Sequence, residues 1–181
     1  MVSQNILSGT RVYLAGPIEY DINAESWRKE LSEFLALINI TIYNPLQKPQ
    51  WMPAICHTNI ADRKNMSGDD VEYSWDLDRL FCISLVISAD WLICRLDAKT
   101  KTFGTTEELG LAKQLGKPVI MWCPDGWPSP WVESMFRGSI LCHTKDELYN
   151  IVRDIDNNLV QLNPLSWIGA SYKKDQFNAS F

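Results

Sequence analysis

Five short apolar runs, each followed by residues at helical spacing, constrain this chain more than any other feature. The runs are Arg11-Val12-Tyr13-Leu14-Ala15, Ile40-Thr41-Ile42-Tyr43, Asp90-Trp91-Leu92-Ile93-Cys94 carried on by Arg95-Leu96-Asp97, Val119-Ile120-Met121-Trp122 and Ser139-Ile140-Leu141-Cys142. Between them apolar residues recur every third or fourth position, as in Trp27, Leu31, Phe34, Leu35 and Ile38, or Leu109, Ala112 and Leu115. Alternating strand and helix signals over 181 residues predict an α/β fold. The expected architecture is flavodoxin-like: a three-layer sandwich with a five-stranded parallel sheet and helices on both faces. The chain reads as one domain, with a core over residues 11–156, a long loop at 47–70 and a tail at 157–181.

The breaks between elements carry further information. Residues 1–9 read as a loose polar lead-in, and Gly16-Pro17 ends the first run abruptly. In a doubly wound sheet that strand end faces the ligand crevice, where Gly16 would let the backbone approach a substrate; an ordinary strand-to-helix turn is the competing reading. Residues 24–37 carry an amphipathic stripe. Residues 47–70 hold prolines and a turn-like Ser67-Gly68-Asp69-Asp70, and read as a long loop with one short helix. Within it, Trp51, Met52 and Ile55 either wall a flat ring or pin the loop to the body. Residues 72–88 are apolar around much of their girth and predict a well-buried helix, with Asp76 and Asp78 in its first turns. A short helix at 132–136 and a capping box at Thr144-x-x-Glu147, opening a helix to about 156, complete the core. Trp167, Tyr172, Phe177 and Phe181 give the tail enough aromatic surface to dock on this subunit or a neighbour.

Composition excludes several classes. Twenty-two acidic against 17 basic residues give a net charge of -5, so no electrostatic footprint for nucleic acid or an anionic membrane is expected. Small neutral or cationic molecules are the easier partners. The five cysteines form no C-x-x-C pair and read as reduced, buried thiols of a cytoplasmic protein. His57 and His143 lack ligand companions at metal-binding spacing, so no metal and no cofactor is expected. No apolar run approaches the roughly 20 residues needed to cross a bilayer.

The segment Phe103-Gly104-Thr105-Thr106-Glu107-Glu108-Leu109-Gly110-Leu111-Ala112 reads as a loop entering a helix, with Gly104 giving backbone freedom and Thr105 capping the first turn. Thr105-x-x-Glu108 fits a capping box, in which the carboxylate closes a free backbone N–H. A carboxylate in a first helical turn is also favoured as the anion, the state a nucleophile needs. Both readings stand at the level of the residues.

Several short motifs occur together in order: Tyr13-Leu14-Ala15-Gly16-Pro17-Ile18, Ala89-Asp90, Gly104-x-x-x-Glu108-Leu109-Gly110-Leu111-Ala112, Gly116-Lys117-Pro118 and Ser134-Met135-Phe136-Arg137-Gly138. On these the chain resembles the nucleoside 2-deoxyribosyltransferases and their relatives that hydrolyse N-glycosidic bonds. The resemblance spans residues 11–156, with residues 47–70 matching weakly. It implies that Glu108 is the nucleophile attacking the anomeric carbon, giving a covalent glycosyl-enzyme. It also implies a second carboxyl group protonating the departing base, placed at Asp76 with Asp78 as the alternative, since the spacing to Asp90 is longer than in those relatives.

Tyr13, Gly16, Pro17, Ile18, Asp90, Asp97, Thr102 and Gly104 fall on further family positions around the substrate, with Asp97 or Thr102 touching sugar hydroxyls. Thr102 stands where the transferases carry an aspartate. Glu19 and Glu133 occupy places where nucleotide-specific relatives hold phosphate, which implies unphosphorylated nucleosides. The helix bearing Glu133 and Met135 is implied to pack on a neighbouring subunit's crevice, hence a homo-oligomer with shared sites. Three functions follow as expectations: 2-deoxyribose transfer between bases, hydrolysis with the same nucleophile, or a non-catalytic nucleoside- or nucleotide-binding module.

Overall fold

Strand formation follows the apolar runs closely, because each is rich in residues that pack on a pleated surface. In the computed structural model, which describes residues 5–19, 21–100, 102–137 and 139–159, five strands form one parallel sheet: β1 (Arg11–Ala15), β2 (Thr41–Tyr43), β3 (Trp91–Arg95), β4 (Val119–Trp122) and β5 (Ile140–Cys142). Their order is β2-β1-β3-β4-β5, the flavodoxin-like arrangement expected. Leu14 pairs with Ile93 and Ala15 with Cys94, so the C-terminal ends of β1 and β3 lie side by side. There the direction of winding reverses, and a crevice opens.

Both faces of the sheet are covered, which is why the central strands are apolar without alternation. One face packs Leu14, Ile93 and Ile120 against α1 (Ala24–Leu37) and α6 (Lys145–Asp156). The other packs Tyr13, Leu92 and Met121 against α3 (Asp69–Ser88), α4 (Phe103–Gln114) and the end of α5 (Pro130–Met135). The capping box that opens α6 forms in full, Thr144 and Glu147 each closing the other's backbone N–H.

Several expectations are corrected. The lead-in is docked from residue 5: Leu7 is fully buried, and its N–H donates to the buried Asp156 carboxylate at 2.9 Å. Residues 47–70 contain a 3₁₀ turn (Ala54–His57) and a helical turn, α2 (Ile60–Arg63), and α3 starts before residue 72. That helix is not well buried. Only Val71, Ser74 and Val86 are buried on it, whereas Tyr73, Leu80 and Ile87 are each more than half exposed, because one sheet covers only one stripe of a helix. α4 starts at Phe103 with Thr102 at its N-cap, so Thr105 is a buried third residue and caps nothing. Gly104 is an ordinary helical residue without positive φ. The aromatic tail lies outside the described residues. Among the described residues, no helix is long and apolar enough to cross a membrane.

Candidate active site

The crevice at the end of β1 is a cavity of about 380 Å³. α3 supplies one wall through Trp75, Asp78, Arg79, Cys82 and Ile83, a stripe at three- and four-residue spacing. The start of α4 supplies Thr102, Phe103, Gly104, Thr105, Glu107 and Glu108. The turn after β1 adds Gly16, Ile18 and Glu19, and the segment after β2 adds Lys48 and Ile60. At Gly16 a Cβ would stand 2.9 Å from the Trp27 ring and 3.0 Å from the Arg95 carbonyl, so only glycine lets the strand end pass between them.

Glu108 is the chemically distinctive group. Its side chain lies in the second turn of α4, not the first, and is only 7% exposed. Instead of capping its own helix it accepts a hydrogen bond from Tyr13 Oη at 2.7 Å. Burial pushes its carboxyl up to about 7, opposed by the hydrogen bond from Tyr13 and by the field of Arg28. The expectation of a dipole-favoured anion is thereby corrected: desolvation outweighs the helix terminus, whose influence fades within one turn.

Arg28 is fully buried and donates to four backbone carbonyls: Leu14 at 3.2 Å, Gly16 at 2.7 Å, Pro17 at 3.3 Å and Ala24 at 2.8 Å. It fastens the turn after β1 and sets a positive charge beneath the site. Burial pulls the guanidinium down to about 10, with Tyr13 and Glu108 among the groups opposing that shift.

The cavity gathers some sequence-identified residues and not others. Glu108, Asp78, Gly16, Ile18, Glu19, Thr102 and Gly104 line it. Tyr13 is fully buried behind Glu108, where it positions the carboxylate, and Pro17 is buried with its carbonyl on Arg28. Asp76 is exposed and absent from the lining, because residues two apart on a helix point roughly 200° apart. Asp90 precedes β3, at the opposite end of the sheet, and binds Arg11 through both oxygens at 2.8 and 3.1 Å. Asp97 pairs with Arg95 at 3.1 Å, and burial pushes its carboxyl up. Glu133 is exposed and Met135 packs on the core, both outside this cavity. The apolar wall comes from Ile60 and Trp75: Trp51 is exposed, Met52 is buried, and neither they nor Ile55 line the cavity. Cys56, Cys94, Cys123 and Cys142 are buried free thiols, while the half-buried Cys82 faces the cavity.

Sequence reading missed Arg28, Lys48 and Cys82. Arg28 was legible as the position between Ala24 and Leu31 on the buried stripe, and Cys82 as the residue four after Asp78 on one helical face. Lys48 had no such signal.

A doubly wound α/β sheet with a buried carboxylate facing its crevice defines the general class. The chain belongs to the nucleoside 2-deoxyribosyltransferase family, whose sequence model matches residues 12–151. No curated protein sequence matches it. Among solved structures, a 2-deoxyribosyltransferase from Bacillus psychrosaccharolyticus aligns with TM-score 0.53 at 17% identity, covering 77% of this chain and 90% of its own. A conserved protein from Enterococcus faecalis V583 aligns with TM-score 0.55 at 15% identity, covering 81% and 98%. A CMP N-glycosidase from Clostridium botulinum aligns with TM-score 0.47 at 17% identity, covering 79% and 97%. The sheet order and layers are those of the family fold.

Proposed function

We propose that the protein transfers 2-deoxyribose between nucleobases through a covalent intermediate on Glu108, acting on unphosphorylated deoxynucleosides. One observation carries this reading: the Glu108 carboxylate is held from behind by Tyr13 and opens onto a cavity of about 380 Å³. A carboxyl poised near 7 is largely ionised in mildly alkaline solution, and it is shielded enough to attack carbon rather than remain hydrated. As the bond from Glu108 oxygen to C1′ forms, the C1′–N bond breaks and its electron pair departs on the base. An incoming base then displaces the glutamate, restoring the free enzyme.

Asp78 is the acidic residue of α3 that reaches the cavity, and the leaving-group machinery is assigned to its neighbourhood. Glu19 at the rim supports the choice of an unphosphorylated sugar; its ion pair is with Lys64, at 2.5 Å. The exposed Tyr73, Leu80 and Ile87 of α3, together with Phe103 at the cavity mouth, support a homo-oligomer in which α5 brings Glu133 and Met135 to a neighbour's crevice. Sedimentation as a monomer at assay concentration would remove that part.

The test is base exchange followed by chromatography. Glu108→Ala is expected to abolish exchange while the circular dichroism spectrum is retained. Exchange at the wild-type rate would sink the proposal, and free sugar released without an acceptor base would mark the reaction as hydrolysis.

A further inference from the structure

We propose that Lys48, carried to the cavity by the segment after β2, is the group that protonates the departing base. The inference rests on the glycosyl-transfer reading above and names the acid within it.

Asn44 makes the turn that aims this segment inward, its carbonyl accepting from Gln47 N and its side chain from Leu46 N, both at 3.0 Å. Lys48 Nζ then stands 2.8 Å from Asp78 Oδ1 and 5.1 Å from the centre of the Phe81 ring, with its side chain 12% exposed on the cavity wall. The contact with Asp78 is an ion pair, which occupies one face of the ammonium. With three N–H donors and that one carboxylate partner, the ammonium has a donor to offer a ligand in the cavity.

Asp78 is poorly placed for the same task. Its second oxygen accepts from Arg63 Nη2 at 2.5 Å, and Arg63 is itself buried against the Trp75 ring at 4.1 Å. The carboxylate thus serves as counter-ion to two cations, and a carboxylate in that role only accepts hydrogen bonds. Of the pair, Lys48 is the donor. Asp78 and Cys82 lie one helical turn apart on α3, about 5–6 Å, and Cys82 lines the same cavity as Glu108. The lysine–aspartate pair, Cys82 and the nucleophile therefore line one cavity.

In the first half-reaction the C1′–N electron pair moves onto the base nitrogen system, and Lys48 Nζ gives it a proton. The neutral amine recovers a proton from the incoming base as that base attacks C1′, so no external acid is consumed.

The experiment compares wild-type enzyme and Lys48→Met on 2-deoxyribosides of natural bases and on a nitrophenyl 2-deoxyriboside, whose leaving group is stable as an anion. Removing a general acid is expected to lower kcat on natural bases on the order of 100-fold, with a loss at least about tenfold smaller on the nitrophenyl compound. Equal losses on both, the signature of a structural role, would overturn the assignment, as would undiminished rates on both. If wild-type protein cleaves neither substrate class, or Glu108→Ala matches wild type, the transfer reading itself falls. If wild type is active and Glu108-dependent but Lys48→Met shows no leaving-group dependence, only the role of Lys48 falls.

Discussion

Tyr13 Oη lies 2.7 Å from Glu108 Oε1, joining side chains 95 residues apart at the reversal of strand order. The hydrogen bond favours the ionised carboxylate against the burial that pushes its carboxyl up to about 7. Glycosyl transfer is expected to rise with pH through a limb near that value. Tyr13→Phe should move the limb to higher pH and lower kcat at pH 7 by about tenfold, because a hydrogen bond to the charged form is lost. A pH–rate profile of both proteins checks this; an unshifted limb would detach Tyr13 from the nucleophile.

The same burial makes folding depend on pH. Glu108 is raised from 4.5 to about 7 in the folded chain, so the folded state binds more protons than the unfolded state between those values. Its stabilising contribution is complete below 4.5 and lost as pH rises through 7, a difference of about 3 kcal/mol. Glu108→Gln should flatten this part of the stability curve and raise stability above pH 7. Urea unfolding at pH 5 and pH 8 measures it, and an unchanged difference between the two pH values counts against the assignment.

Asp76 and Asp78 differ in sequence by two positions and in environment by a helix face. Asp78→Asn leaves Lys48 and the buried Arg63 without their shared counter-ion, and should reduce kcat by at least about tenfold more than Asp76→Asn does. Steady-state kinetics of the two variants decide this. A larger loss from Asp76→Asn would restore the residue first expected from sequence.

Arg28 ties four carbonyls around the turn after β1. Arg28→Met should destabilise the fold on the order of 3 kcal/mol, since buried carbonyls lose charged donors, and should shift the activity limb to higher pH. Denaturant midpoints and the pH–rate profile read the two effects separately.

The strands, their parallel order and the covering of both faces were legible in the sequence, because residue periodicity is local and parallel crossovers leave few arrangements open. The α1 bounds and the Thr144 capping box were legible for the same reason. Glu108 was singled out by its motif, but its environment was not: the short-range pattern Thr105-x-x-Glu108 suggested a cap, whereas the helix begins at Phe103 and the carboxylate meets Tyr13. Tertiary packing alone fixed the rotation of α3, which turns Asp78 inward and Asp76 outward, since an all-round apolar sequence does not say which stripe meets the sheet. It alone brought Lys48 to the cavity, because that placement depends on the path of a loop whose residues carry no periodic signal.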